Sequence, residues 1–185
     1  MKKYLVILIA LMCAIMLLNS CRKVEQSGHS EKFWNNHDQS QLDYKNLLKS
    51  FSSEDIIKAE DYPENYGGVY IDGEGILNIY TTGNVDEVKK EYAERTGNDN
   101  ITIKKCEYSF RELTEAMDTM NSFMSGNPDN EITKNISGYS LMDVDNCIIV
   151  ELKQFSQEKI DEFKQTVLSK PFIKFIQSEG EVIAN

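Results

Sequence analysis

The stretch Tyr66-Gly67-Gly68-Val69-Tyr70-Ile71-Asp72-Gly73-Glu74-Gly75-Ile76-Leu77-Asn78-Ile79 sets the reading of the whole chain. Val69 and Ile71 alternate with Tyr70 and Asp72, Gly73-Glu74-Gly75 supplies turn residues, and Leu77 and Ile79 resume the alternation. Every second side chain of a strand shares a face, so this pattern predicts a β-hairpin with one apolar side. Upstream, Tyr44, Leu47, Leu48 and Phe51 fall at helical spacing, and Ile56 and Ile57 follow a Ser53 cap. Tyr62-Pro63 closes that segment, because a residue before proline avoids helical backbone. Downstream, Asn84 and Glu87 are spaced as a capping box, Val85, Val88 and Tyr92 line one helix face, and Gly97 stops the helix. Ile101 and Ile103 then mark a third strand.

The same order restarts at Ser109. Ser109 with Glu112 forms a second capping box, and Phe110, Leu113, Met117, Met120 and Met124 make an amphipathic stripe that reads as core filling. Gly126 to Asn130 is a loop; Gly138–Asp143 and Cys147–Leu152 pair across Asp145-Asn146. Ser156 caps a helix carrying Ile160, Phe163 and Val167, Pro171 follows its end, and Phe172 to Gln177 is a last strand. Gly68 corresponds to Gly138, Ile71 to Leu141, Leu77 and Ile79 to Ile148 and Val150, and Ile101 and Ile103 to Ile173 and Phe175. The expected fold class is therefore α+β: a duplicated αββαβ unit, helices on one face of an antiparallel sheet, with halves at about residues 41–107 and 108–185.

Composition narrows function. The 185 residues include 20 Lys+Arg against 30 Asp+Glu, a net charge of −10, with pI near 4.7 and mean hydropathy −0.45. Such a chain repels phosphate backbones, so no nucleic-acid partner is expected. Nine Tyr and eight Phe supply large apolar side chains, and three Pro with ten Gly are too few for a disordered chain. Its two histidines, His29 and His37, precede the segment expected to fold, so a nucleophile there has no imidazole base. No G-x-S-x-G elbow, P-loop or H-E-x-x-H occurs, and a non-catalytic protein is expected. The acid pairs Glu54-Asp55, Glu60-Asp61 and Asp86-Glu87 read as solvated surface and helix-start charge. Asp143-Val144-Asp145-Asn146 has the spacing that opens a calcium loop, but the central glycine is missing and Gln154 stands where a bidentate Glu is required. A hairpin turn explains it better, and no metal or cofactor is expected.

The N-terminus carries an address. Met1-Lys2-Lys3-Tyr4 is basic, and Leu5–Leu18 is an unbroken apolar run of 14 residues, short of the about 20 a spanning helix needs. Leu18-Asn19-Ser20-Cys21 follows and resembles the lipobox of bacterial lipoprotein precursors. That resemblance implies a signal peptide over residues 1–20, diacylglyceryl attachment at Cys21, and an envelope protein held in a cell membrane facing away from the cytoplasm. Two acyl chains anchor stably where one is marginal. Residues 21–40 read as a polar tether interrupted by Phe33 and Trp34, which either rest at the headgroup level or dock on the domain at 41–185.

A second resemblance covers residues 60 to 178. Tyr66-Gly67-Gly68-Val69-Tyr70-Ile71-Asp72 with Leu77-Asn78-Ile79 resembles the opening hairpin of the pro-regions of α-lytic protease and streptogrisin-type serine proteases. Tyr108-Ser109-Phe110-Arg111-Glu112-Leu113 resembles their following strand-to-helix junction. Ile136-Ser137-Gly138 and Asp145-Asn146-Cys147-Ile148-Ile149-Val150-Glu151-Leu152 resemble their second hairpin, with Met142 where Asp is frequent. In that family the pro-region is a folding chaperone and inhibitor of its own protease; its last strand pairs with a protease hairpin and its tail lies in the active site. No protease segment is expected beyond Asn185, so what the resemblance implies is the fold, together with the idea of a module gripping a partner protein. The partner is then an unknown envelope protein or a chymotrypsin-like serine protease.

Three candidate surfaces follow. Tyr70, Tyr80, Tyr108 and Ile149 fall by strand parity on one open sheet face, either a partner surface or a strip packed under the other half. Val182, Ile183, Ala184 and Asn185 form a tail that either mimics a product or frays. Cys13 leaves with the signal; Cys106 and Cys147 share that open side as a disulfide or as two free thiols.

Overall fold

The computed structural model describes residues 29–54 and 57–179. Cys21 with the segment before it, Ile56, and the tail residues Val182, Ile183, Ala184 and Asn185 lie outside the described residues. Helix α1 (Glu31–Phe51), a 3-10 turn (Ala59–Asp61), β1 (Tyr66–Ile71), β2 (Leu77–Thr81), α2 (Val85–Thr96) and β3 (Thr102–Lys105) form the first half. Helices α3 (Phe110–Gly126) and α4 (Glu131–Asn135), β4 (Ile136–Met142), β5 (Cys147–Leu152), α5 (Gln157–Thr166) and β6 (Ile173–Gln177) form the second. Both halves read αββαβ, as the hydrophobic periods require.

The strands make two three-stranded sheets, ordered β1-β2-β3 and β4-β5-β6, in place of one antiparallel sheet. In each, the hairpin is antiparallel and the third strand runs parallel to the second. The correction follows from the connection: α2 and α5 carry the chain back along the sheet before the third strand starts, which is the crossover a parallel pair needs. The duplication is visible in the register. Ile71 opposes Leu77 as Leu141 opposes Ile148, Ile79 lies beside Ile103 as Val150 lies beside Phe175, and each first strand has a bulge near its start.

Each sheet buries one face on its own helices. Leu47 of α1 and Val88 and Tyr92 of α2 pack on Tyr66, Leu77 and Ile79 in the first half. Leu113, Ala116 and Met120 of α3 and Phe163 of α5 pack on Ile148, Val150 and Leu152 in the second. Phe110 departs from the expected stripe of α3: the helix's first residue packs into the first-half core, among Tyr62 and Tyr66.

The domain also begins earlier than residue 41. Ser30 caps α1 by accepting the Phe33 N–H at 3.2 Å, so Glu31–Ser40 of the expected tether are helix. Ser53 lies beyond the end of α1 and starts no helix. The nearly three turns of helix thus added grip the β1–β2 turn. Ser40 Oγ donates to the Gly75 carbonyl at 2.7 Å, Asn36 Nδ2 donates to the Glu74 carbonyl at 3.0 Å, and Gly75 has φ 79°. A Cβ on Gly75 would come within 2.6 Å of the Phe33 carbonyl oxygen, so only glycine fits there. Phe33 and Trp34 are half-buried; Phe33 stacks on His29, just before the helix, and on His37, while Trp34 meets both rings edge-on.

Candidate functional site

The four residues of the expected strip separate into three places. Tyr70 and Tyr80 are cross-strand neighbours, their rings stacked at 5.7 Å and 27°, on the face of the first sheet away from the helices. Lys104 joins them from β3, its ammonium 4.9 Å from the Tyr70 ring centre and hydrogen-bonded to the Tyr70 hydroxyl. Tyr108 lies in the connection between the halves and packs on Phe172 at 5.0 Å, against the second core. Ile149 is half-buried on β5, between Ser140 and Lys174. Strand parity sorts faces within one sheet; two sheets divide what parity had joined.

The same division separates the thiols. Cys106 follows β3 of the first sheet and Cys147 opens β5 of the second, and both are free. Cys106 Sγ donates to the Tyr108 carbonyl at 3.4 Å, and burial pushes its thiol up to about 11, which leaves it a poor nucleophile. Gly67 makes room for it, since a Cβ there would stand 2.2 Å from the sulfur.

Where the halves meet, a denser constellation appears. Asn146 at the tip of the β4–β5 turn holds the interdomain connection by three hydrogen bonds: its Oδ1 accepts the Glu107 and Tyr108 N–H groups at 3.1 and 2.8 Å, and its Nδ2 donates to the Tyr108 carbonyl at 2.8 Å. Its φ of 48° is a left-handed conformation that asparagine tolerates well. Tyr80 Oη donates to the Val144 carbonyl at 3.2 Å, tying the open face of the first sheet to the same turn. Arg111, one residue into α3, donates to the carbonyls of Glu60 and Tyr62.

Asp143, at the base of that turn, reaches the bulge of β1. Gly68 there has φ 104°, and a Cβ on it would lie 2.7 Å from Asp143 Oδ1 and 3.2 Å from the Phe110 ring. The bare glycine backbone is what admits the carboxylate. Asp143 borders a cavity of about 300 Å³ along β1, walled by Tyr44, Tyr66, Tyr70 and Phe110. Its Oδ1 is buried with no hydrogen-bond partner among the described residues, and burial raises its carboxyl to about 6. Burial, then the charges of Tyr44 and Asp143, push the Tyr66 hydroxyl well above its ordinary value. Sequence reasoning treated Asp143 only as a rejected calcium ligand and Tyr44 as an ordinary helix position. The signal it lacked is tertiary, because Asp143 and Gly68 are 75 residues apart in the chain.

Comparison with protein families places a Pro-like N-terminal domain on residues 29–106 and a Pro-like C-terminal domain on residues 111–178. The two matches flank residues 107–110, which include the connection held by Asn146, and the first begins at His29, beside the Ser30 cap of α1. Among curated proteins no match is found.

Proposed function

We propose that this chain, which carries a Pro-like N-terminal and a Pro-like C-terminal domain in tandem, is a non-catalytic protein-binding module held at the outer face of a cell membrane through a lipidated Cys21. The observation that carries the reading is the pair of domain matches, which together take in almost all of the folded part. Their protease pro-region character fits a protein that acts by docking on another. Net charge −10 gives no attraction to an anionic bilayer, so the anchor has to be the lipid.

Two measurements test it. Metabolic labelling with radioactive palmitate should mark the wild-type chain and not Cys21→Ala; equal labelling of both removes the anchor. Chemical crosslinking on intact cells, followed by purification through a tag on the chain, should recover one envelope protein in stoichiometric yield. A chain that stays uncrosslinked and turns over a substrate would sink the adaptor reading.

A second reading, a tethered inhibitor or folding chaperone of a chymotrypsin-like serine protease, is favoured by one feature. Among the described residues strand β6 pairs only with β5, which leaves its outer edge open there to a partner strand, and in the sequence it precedes the tail. The full chain in detergent micelles and a chain ending at Gln177 are titrated against a panel of such proteases. Saturable inhibition by the full chain alone supports this reading and makes the tail its site. No inhibition by a folded chain leaves the adaptor.

A further inference from the structure

The cavity beside β1 combines features that together define a ligand. Three tyrosines and Phe110 supply aromatic walls, and Asp143 supplies a carboxylate whose Oδ1 meets no donor among the described residues. No ion pair of the described residues includes Asp143. Asp143 is half-buried, but a carboxylate oxygen shut away from solvent without a donor is costly, and aromatic faces attract cations through their quadrupoles. A metal ion would need several oxygen ligands, where this cavity presents one carboxylate. An organic cation fits both the charge and the walls.

The setting indicates where that cation comes from. Strand β1 is an edge strand of its sheet, so the cavity lies beside backbone positions able to receive a segment of another chain. The protein carries ten more acids than bases, which attracts basic partners over many ångströms. We infer that the cavity bounded by Tyr44, Tyr66, Tyr70, Phe110 and Asp143 receives a lysine or arginine side chain of the partner protein, the cationic head meeting Asp143 and the alkyl stem lying against the rings. The inference rests on the protein-binding reading above and names the chemistry of its contact.

The carboxylate must be ionised to act. With its carboxyl at about 6, Asp143 is charged at pH 7.5 and mostly neutral at pH 5. The titratable groups that face it are Tyr44 from α1, Tyr62 just after the 3-10 turn and Tyr66 at the start of β1, all raised above 10 and silent in that range. His29 and His37 lie on the N-terminal side of α1, so a pH effect that persists in Asp143→Asn arises elsewhere.

The test uses the full chain in nonionic detergent with four probes: Nα-acetyl-lysine methylamide, Nα-acetyl-arginine methylamide, the neutral Nα-acetyl-norleucine methylamide, and n-butylammonium chloride. Titration followed by NMR should show the lysine or arginine probe binding at least tenfold tighter than norleucine. That preference should fall at least tenfold in Asp143→Asn, weaken several-fold in Tyr44→Leu, and stay unchanged in Asp145→Asn. Lowering pH from 7.5 to 5 should weaken binding to the wild type and not to Asp143→Asn. Thermal melts confirm that each variant is folded. Equal binding of norleucine, undiminished binding by Asp143→Asn, or no binding of either basic probe overturns the inference. Binding of n-butylammonium as tight as that of the blocked amino acids would assign the cavity to a free amine and overturn the partner assignment. If Asp143→Asn still holds the crosslinked envelope partner, this inference falls while the protein-binding reading stands.

Discussion

Asp143 and Gly68 work as a pair at the scale of single residues. The folded protein binds a proton at Asp143 between about pH 4 and pH 6 that the unfolded chain has already lost, because burial raises the carboxyl from 3.8 to about 6. Stability therefore falls as pH rises through that window, the reverse of an ion-paired carboxylate. Urea denaturation of the ligand-free protein should give Asp143→Asn a higher midpoint than wild type at pH 7.5, with the gap narrowing by more than half at pH 4.5. A gap of the same size at both values would mean that the carboxylate is solvated. Gly68→Ala asks a different question. Its φ of 104° is strained for any L side chain, and the new methyl would meet Asp143 Oδ1 at 2.7 Å. A loss of about 1–3 kcal/mol is expected from the backbone conformation alone. The clash with Asp143 adds to that loss, and the double variant Gly68→Ala, Asp143→Ala should relieve the added part while the backbone cost remains.

At the scale of elements, caps and turns are held by few side chains, and their contributions are separable. Ser109 Oγ accepts the Glu112 N–H at 3.2 Å while Glu112 Oε2 accepts the Ser109 N–H at 2.9 Å, a reciprocal box at the start of α3. Ser109→Ala should cost about 1 kcal/mol by chemical denaturation, and Ser109→Asp considerably less. This cap was legible in the sequence, as were both hairpins, α2, α5 and the repeat, because each rests on residues close together in the chain. Asn84 illustrates the limit: its side chain caps α2 through the Asp86 and Glu87 amides, while the return bond from Glu87 that its spacing suggested does not form. The start of α1 was missed for another reason. Residues 31–40 are polar enough to pass for a tether, and what makes them domain is their grip on the β1–β2 turn through Ser40 and Asn36, a contact 35 residues or more away. Likewise, the parallel third strands and the splitting of Tyr70, Tyr80, Tyr108 and Ile149 depend on which sheet a strand joins, which periodicity does not encode.

At the scale of the molecule, the question is whether two similar halves with separate cores behave as one body. Their cores share no residue, yet the seam is built from reciprocal trespass. Phe110 of the second half sits among first-half aromatics, Arg111 holds the carbonyls of Glu60 and Tyr62, and Asn146 holds the connection itself. Each hydrogen bond contributes about 1 kcal/mol net, so the polar part of the seam is comparable to the few kcal/mol that separates coupled from independent unfolding. Trp34 is the only tryptophan and lies on α1, so its fluorescence reports the first half, whereas far-UV circular dichroism reports both. In the wild-type chain the two signals should change together along a urea titration, as one cooperative transition. Asn146→Ala with Arg111→Ala removes most of the polar ties, sparing only the Tyr80 Oη bond to the Val144 carbonyl, while leaving both cores intact, and the two midpoints should then separate. Asn146→Gly keeps the left-handed backbone and loses only the side-chain bonds, so it separates the cost of the turn from the cost of the seam. If the double variant still unfolds with coincident probes, Phe110 and the aromatic cluster carry the coupling, and Phe110→Ala becomes the substitution that uncouples the halves.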